Sequence, residues 1–371
     1  MILAPFGVGS PQRSARGAPV LLALTACALT VAASGETGRK VILNEDCSGP
    51  GGSNMQTVAT LVQSKDVDVL GVTIVSGDAW RDEEVQHALR LLEIMGRTDI
   101  RVYKGAAFPL VRTRESTRLW EQRYGKAAYS GAWDDRWWHE PFVVPALKEG
   151  EPATKPADED AIHFMIRMVH QYPHEVTIYE GGPMTNLALA ISLDPDFAKL
   201  AAGLVFMGGS LNPETDDPEF TNNPRHEFNF WFDPEAAAVV LRAPWKKIVC
   251  TPVDISIKTK LTPEMIKRIG RSGTPLAQYV ERFFTPGDGS DFMWDELAAA
   301  AWLDPSIITR KETRYMSVDI DQGPGYGNTL TWKESDKPAI TQRLVEIQLD
   351  LDKQKFYEMF IKLMTAPTVA H

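Results

Sequence analysis

Apolar and polar positions fall along this chain in blocks that predict an open parallel sheet with helical crossovers. Val41-Ile42-Leu43 is a short apolar run that reads as a buried strand. It closes on the acids Glu45-Asp46 and a glycine-rich turn, Gly49 to Gly52. Ser53-Asn54 then stand where a helix through Val58, Leu61 and Val62 needs its cap. Val67 to Val75 predicts a second strand, closed by Ser76-Gly77-Asp78. Val85, Ala88, Leu91, Leu92 and Met95 have helical spacing across Arg81 to Met95, and Ile100 to Val102 predicts a third strand. The order βαβαβ implies parallel pairing and right-handed crossovers.

Arg112 to Glu151 breaks this rhythm with Trp120, Tyr124, Tyr129, Trp133, Trp137 and Trp138. The plainer expectation is a surface insertion with its own aromatic cluster; the functional one is a lid over a planar ligand. After a polar linker, Lys155 to Asp158, the main pattern resumes. Ala161 to His170 predicts a helix, Glu175 to Tyr179 a strand ending in Glu180-Gly181-Gly182-Pro183, and Thr185-Asn186 the start of another helix. Leu204 to Met207 predicts a strand, and Asp233-Pro234-Glu235 a helix start with proline in the first turn. Ile248 to Cys250 predicts a strand that Val253-Asp254-Ile255 continues past Pro252. Helices are expected across Thr262 to Phe284 and from Trp294 onward. Strands at Tyr315–Asp319, Thr329–Trp332 and Arg343–Leu349 and a last helix, Asp352 to Met364, complete one α/β domain over residues 35–371.

The first 34 residues differ in composition. Arg13 and Arg16 precede an uncharged run, Ala18 to Ala33, with small residues before the first acid, Glu36. That is a signal-peptide layout and implies export, to the periplasm or beyond. The run is short for a membrane span, so no stable span is expected after cleavage. Leu24-Thr25-Ala26-Cys27 also fits a lipoprotein box, a lesser alternative because the residues after Cys27 stay apolar. Without the leader the chain keeps 49 acidic side chains against 39 basic ones less Arg13 and Arg16, a net charge of about −12. With no basic block, nucleic acid is a poor partner. Cys47 and Cys250 lie near the ends of predicted strands, so a disulfide is open in an oxidising compartment.

Polar groups recur at the strand ends: Asp46, Asp78, the Gly181 turn, Met207, Glu227-Phe228-Asn229 and Asp295. Open parallel sheets bind ligands at the carboxyl ends of their strands. The Gly49–Gly52 turn lacks the Lys-Ser/Thr and the G-x-G-x-x-G spacing of a phosphate loop. Several carboxylates without lysine suit a hard cation, Ca2+ or Mg2+. Each acid alone also has a structural role, Asp46 and Asp78 as caps and Asp295 as the first acid of its helix. Their shared placement favours a site.

Taken with Val69 to Asp78, Gly182-Pro183-Met184-Thr185-Asn186, Phe206-Met207-Gly208-Gly209, Glu227-Phe228-Asn229, Asp233 to Ala237 and Trp294-Asp295, the chain resembles the nucleoside hydrolases over nearly all of residues 40–364. The resemblance implies hydrolysis of the N-glycosidic bond of ribonucleosides to free base and ribose, a bound Ca2+, and a homodimer or homotetramer. It makes Asp46 the general base and a metal ligand, with Asn54, the Gly181 carbonyl and Asp295 as further ligands. It places Ser53, Met207, Glu227 and Asn229 on the ribose side, with Asn222 or Asn223 near the 5′-hydroxyl, and counts Asp78 among the substrate-binding residues. The Trp294-Asp295 pair and Asp78 are similar to the purine-preferring branch, with Trp294 stacking on the base; a core aromatic is the alternative role for Trp294.

The opening motif departs from the family's Asp-x-Asp-Pro-Gly-x-Asp-Asp. Here Asn44-Glu45-Asp46 is followed by an insertion and then Gly52-Ser53-Asn54, so Ser53 and Asn54 stand where the last aspartates belong. An amide offers one neutral oxygen in place of a bidentate carboxylate, which should weaken Ca2+ binding unless Glu45 or the turn carbonyls compensate. Three readings follow: a purine ribohydrolase with a remodelled metal site, a hydrolase of a different riboside, or a non-catalytic nucleoside- or sugar-binding protein.

Overall fold

The computed structural model describes residues 38–284, 292–339 and 342–368. The signal-peptide and lipoprotein readings fall on residues outside that set. Among the described residues no helix is long and apolar enough to cross a membrane.

Nine strands form one sheet: β1 Arg39–Glu45, β2 Val67–Ile74, β3 Val102–Lys104, β4 Thr177–Glu180, β5 Gly203–Met207, β6 Ile248–Thr251, β7 Ile308–Val318, β8 Thr329–Lys333 and β9 Arg343–Leu351. Their order is β3-β2-β1-β4-β5-β6-β9-β7-β8. Pairing is parallel from β3 to β9, and β7 joins β9 and β8 antiparallel. The chain runs outward from β1 to β3, then crosses back to lay β4 on the other side of β1. That reversal opens a crevice at the carboxyl ends of β1 and β4.

The central strands are covered on both faces. Along β1, Val41 and Leu43 face one apolar cluster and Ile42 the other. The first cluster takes in the helices Ser53–Val62, Trp294–Leu303 and Lys353–Thr365; the second takes in Ala161–Gln171 and Pro234–Arg242. Ser53–Val62 and Trp294–Leu303 are almost wholly buried, and Ala59, Ala298 and Ala299 let them lie close to the sheet.

Several expectations change: the strand expected at Tyr315–Asp319 begins at Ile308, and the one expected from Glu175 begins at Thr177. The helix after the glycine turn is capped by Gly52, not by Ser53 or Asn54, which sit inside its first turn with side chains turned to the site. The third strand starts at Val102, not Ile100. Val253 to Ser256 is a helical turn, because β6 ends at Thr251 and the Asp254 carboxylate accepts the amides of Leu211 and Asn212. Cys47 and Cys250 are both free and buried, packed in the clusters on opposite faces of the sheet. No disulfide joins them.

The Trp-rich insertion is more than a surface feature. Trp80, Ala132, Trp133, Trp231 and Phe232 form a third buried cluster, with Trp138 and Phe228 packed against it. The insertion is thereby tied both to the segment after β2 and to the segment bearing Glu227 and Asn229.

Candidate active site

Glu45 ends β1, Asp46 begins the loop after it, and both are fully buried. Asp46 Oδ1 accepts from Asn54 Nδ2 at 2.7 Å, and Oδ2 accepts the Asp78 amide at 3.0 Å. Two glycines pack against these carboxylates: a Cβ at Gly77 would strike Asp46 and Pro183, and one at Gly181 would strike Glu45, so either would displace the acid beside it. The Glu45 Oε2 also accepts from Asn54 Nδ2, at 3.1 Å. One amide therefore bridges two carboxylates.

Asp295 opens the buried helix Trp294–Leu303. The Ser53 hydroxyl receives the Asp295 backbone amide at 3.0 Å and donates to Glu296. Ser53 is thus engaged in fixing the start of that helix. On the β4 side, Asn229 Nδ2 donates to the carbonyls of Gly181 (3.0 Å) and Met207 (3.3 Å), joining the ends of β4 and β5. Glu227 accepts the amides of Gly209, Asn229 and Phe230, which locks its carboxylate in place. Beneath these, Asn44 donates to Glu180 and accepts from Thr73 and Asn186, a closed polar floor.

Asp46, Asn54, Gly181, Asp295, Ser53, Asp78, Met207, Glu227 and Asn229 are therefore gathered at one end of the sheet. Trp294 is half-buried, packed against the first apolar cluster and against Phe220 and Phe292. Asn223 donates to Asn328 at 2.9 Å, and Asn222 is exposed at the end of its helix. Asn222 is the residue least drawn into the cluster.

Tyr129 and Glu219 carry no site role in the sequence reading, and Glu45 enters there only as the acid that would compensate for Asn54. Tyr129, from the Trp-rich insertion, donates its hydroxyl to Asp78 at 2.8 Å and packs edge-on against Phe228. Glu219 stands 3.7 Å from the His226 ring, and its charge is felt alongside those of Glu227 and Asp78. Glu45 lies beside Asn54 and Gly181. The usable signal for Glu45 was a charged residue at a strand position that alternation turns into the core.

Burial is the main force on these acids. It raises Asp46, Glu45 and Asp295 well above the ordinary carboxylate range, and neighbouring carboxylates add to it. Burial likewise raises Asp78 to about 6, against the opposing Tyr129 hydrogen bond. Glu219 and Glu296 rise to about 8. Groups raised in the folded state hold protons that the unfolded chain has lost, so stability is full at low pH and declines as pH rises through the folded values. Stripped of metal by chelator, the protein is expected to melt at a lower temperature at pH 8 than at pH 5. A melting temperature that rises across that window would contradict the burial of these acids.

Among the described residues no three His, Cys, Asp or Glu side chains stand close enough to clasp a metal ion as they are. The donor chemistry nevertheless fits one. Glu45 Oε1 and Asp295 Oδ1 are buried without a hydrogen-bond partner, as acceptors meant for a cation would be.

The sequence profile of the inosine-uridine preferring nucleoside hydrolases matches residues 41–358. This chain belongs to the nucleoside hydrolase family. As a member it is an enzyme of the glycosyl hydrolase class, in a family whose members are typically metal-dependent and act on small nucleosides. It is 30% identical over 367 residues to an uncharacterized protein of Schizosaccharomyces pombe, covering 92% of this chain and 89% of that one. It is 28% identical over 330 residues to a pyrimidine-specific ribonucleoside hydrolase, RihA, of Salmonella newport, covering 85% and 95%. A solved plant nucleoside hydrolase superposes with a TM-score of 0.70 at 25% identity, covering 89% of this chain and 99% of the other. A purine-preferring ribonucleoside hydrolase from Gardnerella vaginalis shares the fold at 22% identity, with a TM-score of 0.68 over 88% and 98%.

Proposed function

We propose that this nucleoside hydrolase cleaves purine ribonucleosides to free base and ribose, with Asp46 as general base. The observation that carries the reading is the fixed Asp46 carboxylate at the crevice between β1 and β4, held by Asn54 and the Asp78 amide. Water adds to the anomeric carbon as its bond to the base nitrogen breaks. The bonding pair leaves with the base, which is protonated from solvent, and Asp46 takes the proton of the water. Positive charge develops on the ribose ring, and the buried acids around it favour that charge.

Asp46, Asp295, Asn54 and the Gly181 carbonyl are the groups proposed to hold Ca2+. When bound, the ion supplies positive charge that orients the ribose hydroxyls and acidifies water. Glu227 and Asn229 are proposed to hold ribose hydroxyls, and Trp294 to stack on the purine. Met207, Ser53, Asn222 and Asn223 are proposed as further substrate contacts; Ser53 also serves Glu296 and the Asp295 amide, and Asn223 also serves Asn328.

A second reading, pyrimidine nucleosides, is favoured by the pyrimidine-specific relative at 28% identity. The test is release of base and ribose from inosine, guanosine, adenosine, uridine and cytidine by residues 35–371, with Ca2+ or with chelator. Faster release from the purines supports the proposal, and faster release from uridine or cytidine supports the second reading. No release from any of them would overturn both, leaving another riboside or a binding role.

A further inference from the structure

We infer that Glu45 takes over as the charged metal ligand that Asn54 no longer supplies, so that the second carboxylate of the site has moved from the first helix to the end of β1. This rests on the reading of the site just given.

Three observations converge on Glu45. Its carboxylate reaches the Asn54 side chain, the position at which the resemblance expects an aspartate, at 3.1 Å. Its other oxygen, Oε1, is buried with no hydrogen-bond partner. It lies against Gly181 so closely that a side chain there would displace it, which sets it beside the expected carbonyl donor. The charged groups that act on it most are Asp295, Glu180 and Glu296, and Asp46 is its neighbour, all acids.

A buried carboxylate surrounded by acids is costly unless a cation meets it. Acids lead the charged groups acting on Glu45, and a divalent ion with hard oxygen ligands would satisfy Glu45 Oε1 and the orphaned Asp295 Oδ1 together. Asn54 then keeps a bridging role, its amide tying Glu45 to Asp46, and the total ligand charge is conserved although the motif is not. The class of ligand is a divalent cation of the Ca2+ type.

The experiment is calorimetric titration of Ca2+ into the chelator-stripped protein without nucleoside, paired with the Ca2+-induced shift in melting temperature. Glu45→Gln is expected to weaken binding by roughly 10- to 100-fold and to lose most of the thermal shift. Adding Asn54→Asp to that variant restores a carboxylate on the helix and is expected to recover most of the affinity. Glu45→Asp keeps the charge but retracts it, and is expected to bind with intermediate affinity; it also serves if Glu45→Gln does not fold. Wild-type affinity in Glu45→Gln, or in Glu45→Asp if only that folds, would overturn the inference while leaving Asp46 and Asp295 as metal ligands. A wild-type protein that binds no Ca2+ yet still releases base in chelator would overturn the inference and the metal reading together, and leave the hydrolase standing.

Discussion

Asp46→Asn is expected to lower kcat for base release by about a thousandfold, the loss typical of removing a general base. The change is nearly isosteric, so the fold should survive it. An asparagine at this position has one oxygen and one amino group where the carboxylate has two acceptors, and both acceptors are in use. The Asp78 amide cannot turn and claims the oxygen. The Asn54 side chain can rotate and offer its own oxygen to the new amino group, which keeps its hydrogen bond to position 46 but ends its bridge to Glu45. Removing one of several mutually repelling acids offsets that loss, since Asp78, Glu84, Asp295 and Glu45 all oppose a charge on Asp46. The melting temperature in chelator is therefore expected to hold or rise while turnover falls. Steady-state kinetics together with a melting curve checks both halves. Turnover within a few-fold of wild type would remove Asp46 from the role of base.

Much of this site could be read from the chain because its groups sit at element boundaries. Asp46 follows an apolar strand, Gly181 follows β4, and Asp295 opens an alanine-rich helix, so each was placed at the same sheet edge by periodicity alone. What periodicity could not give is which face a side chain takes beyond the last regular residue. Cys47 and Cys250 both lie near strand ends, yet they pack on opposite faces. Val253 to Ile255 is as apolar as a strand, but Asp254 is claimed by two loop amides and the segment winds into a helical turn. Ser53 and Asn54 have the composition of a helix cap, but tertiary partners, Glu296 and the Glu45–Asp46 pair, outbid the local role.

The pairing of Tyr129 with Asp78 spans 51 residues and depends on how the Trp-rich insertion folds back. No local pattern encodes that return. Its cause lies in Trp80, which belongs to the segment after β2 and not to the insertion itself.

Trp80→Ala is accordingly expected to have the largest effect on stability, about 3–5 kcal/mol for a large buried aromatic. The Trp80 ring is 1% exposed. It meets Phe108, Trp133 and Trp138 edge-on at centroid distances of 5.7, 5.3 and 5.6 Å, and its Nε1 donates to the His139 carbonyl at 3.1 Å. Truncation opens a cavity where the insertion meets the body of the domain and strands that carbonyl. The insertion is then held by polar ties at its ends and edges: Ala132 to the Gly77 carbonyl, Tyr129 to Asp78, His139 to Glu83, Trp120 to the Gly323 carbonyl, and Glu149 to His87 and Arg90. Limited proteolysis should cut first within residues 112–151 in the variant and elsewhere, later, in the wild type. Chemical denaturation gives the stability change independently. Cutting that is no faster, with a loss below 1 kcal/mol, would mean that the aromatic cluster does not pin the insertion. If it does pin it, the same substitution frees Tyr129 from Asp78, so kcat/KM should fall in the uncleaved variant as well. A stable Tyr129→Phe control separates the two effects, since it removes the hydroxyl and leaves the cluster whole.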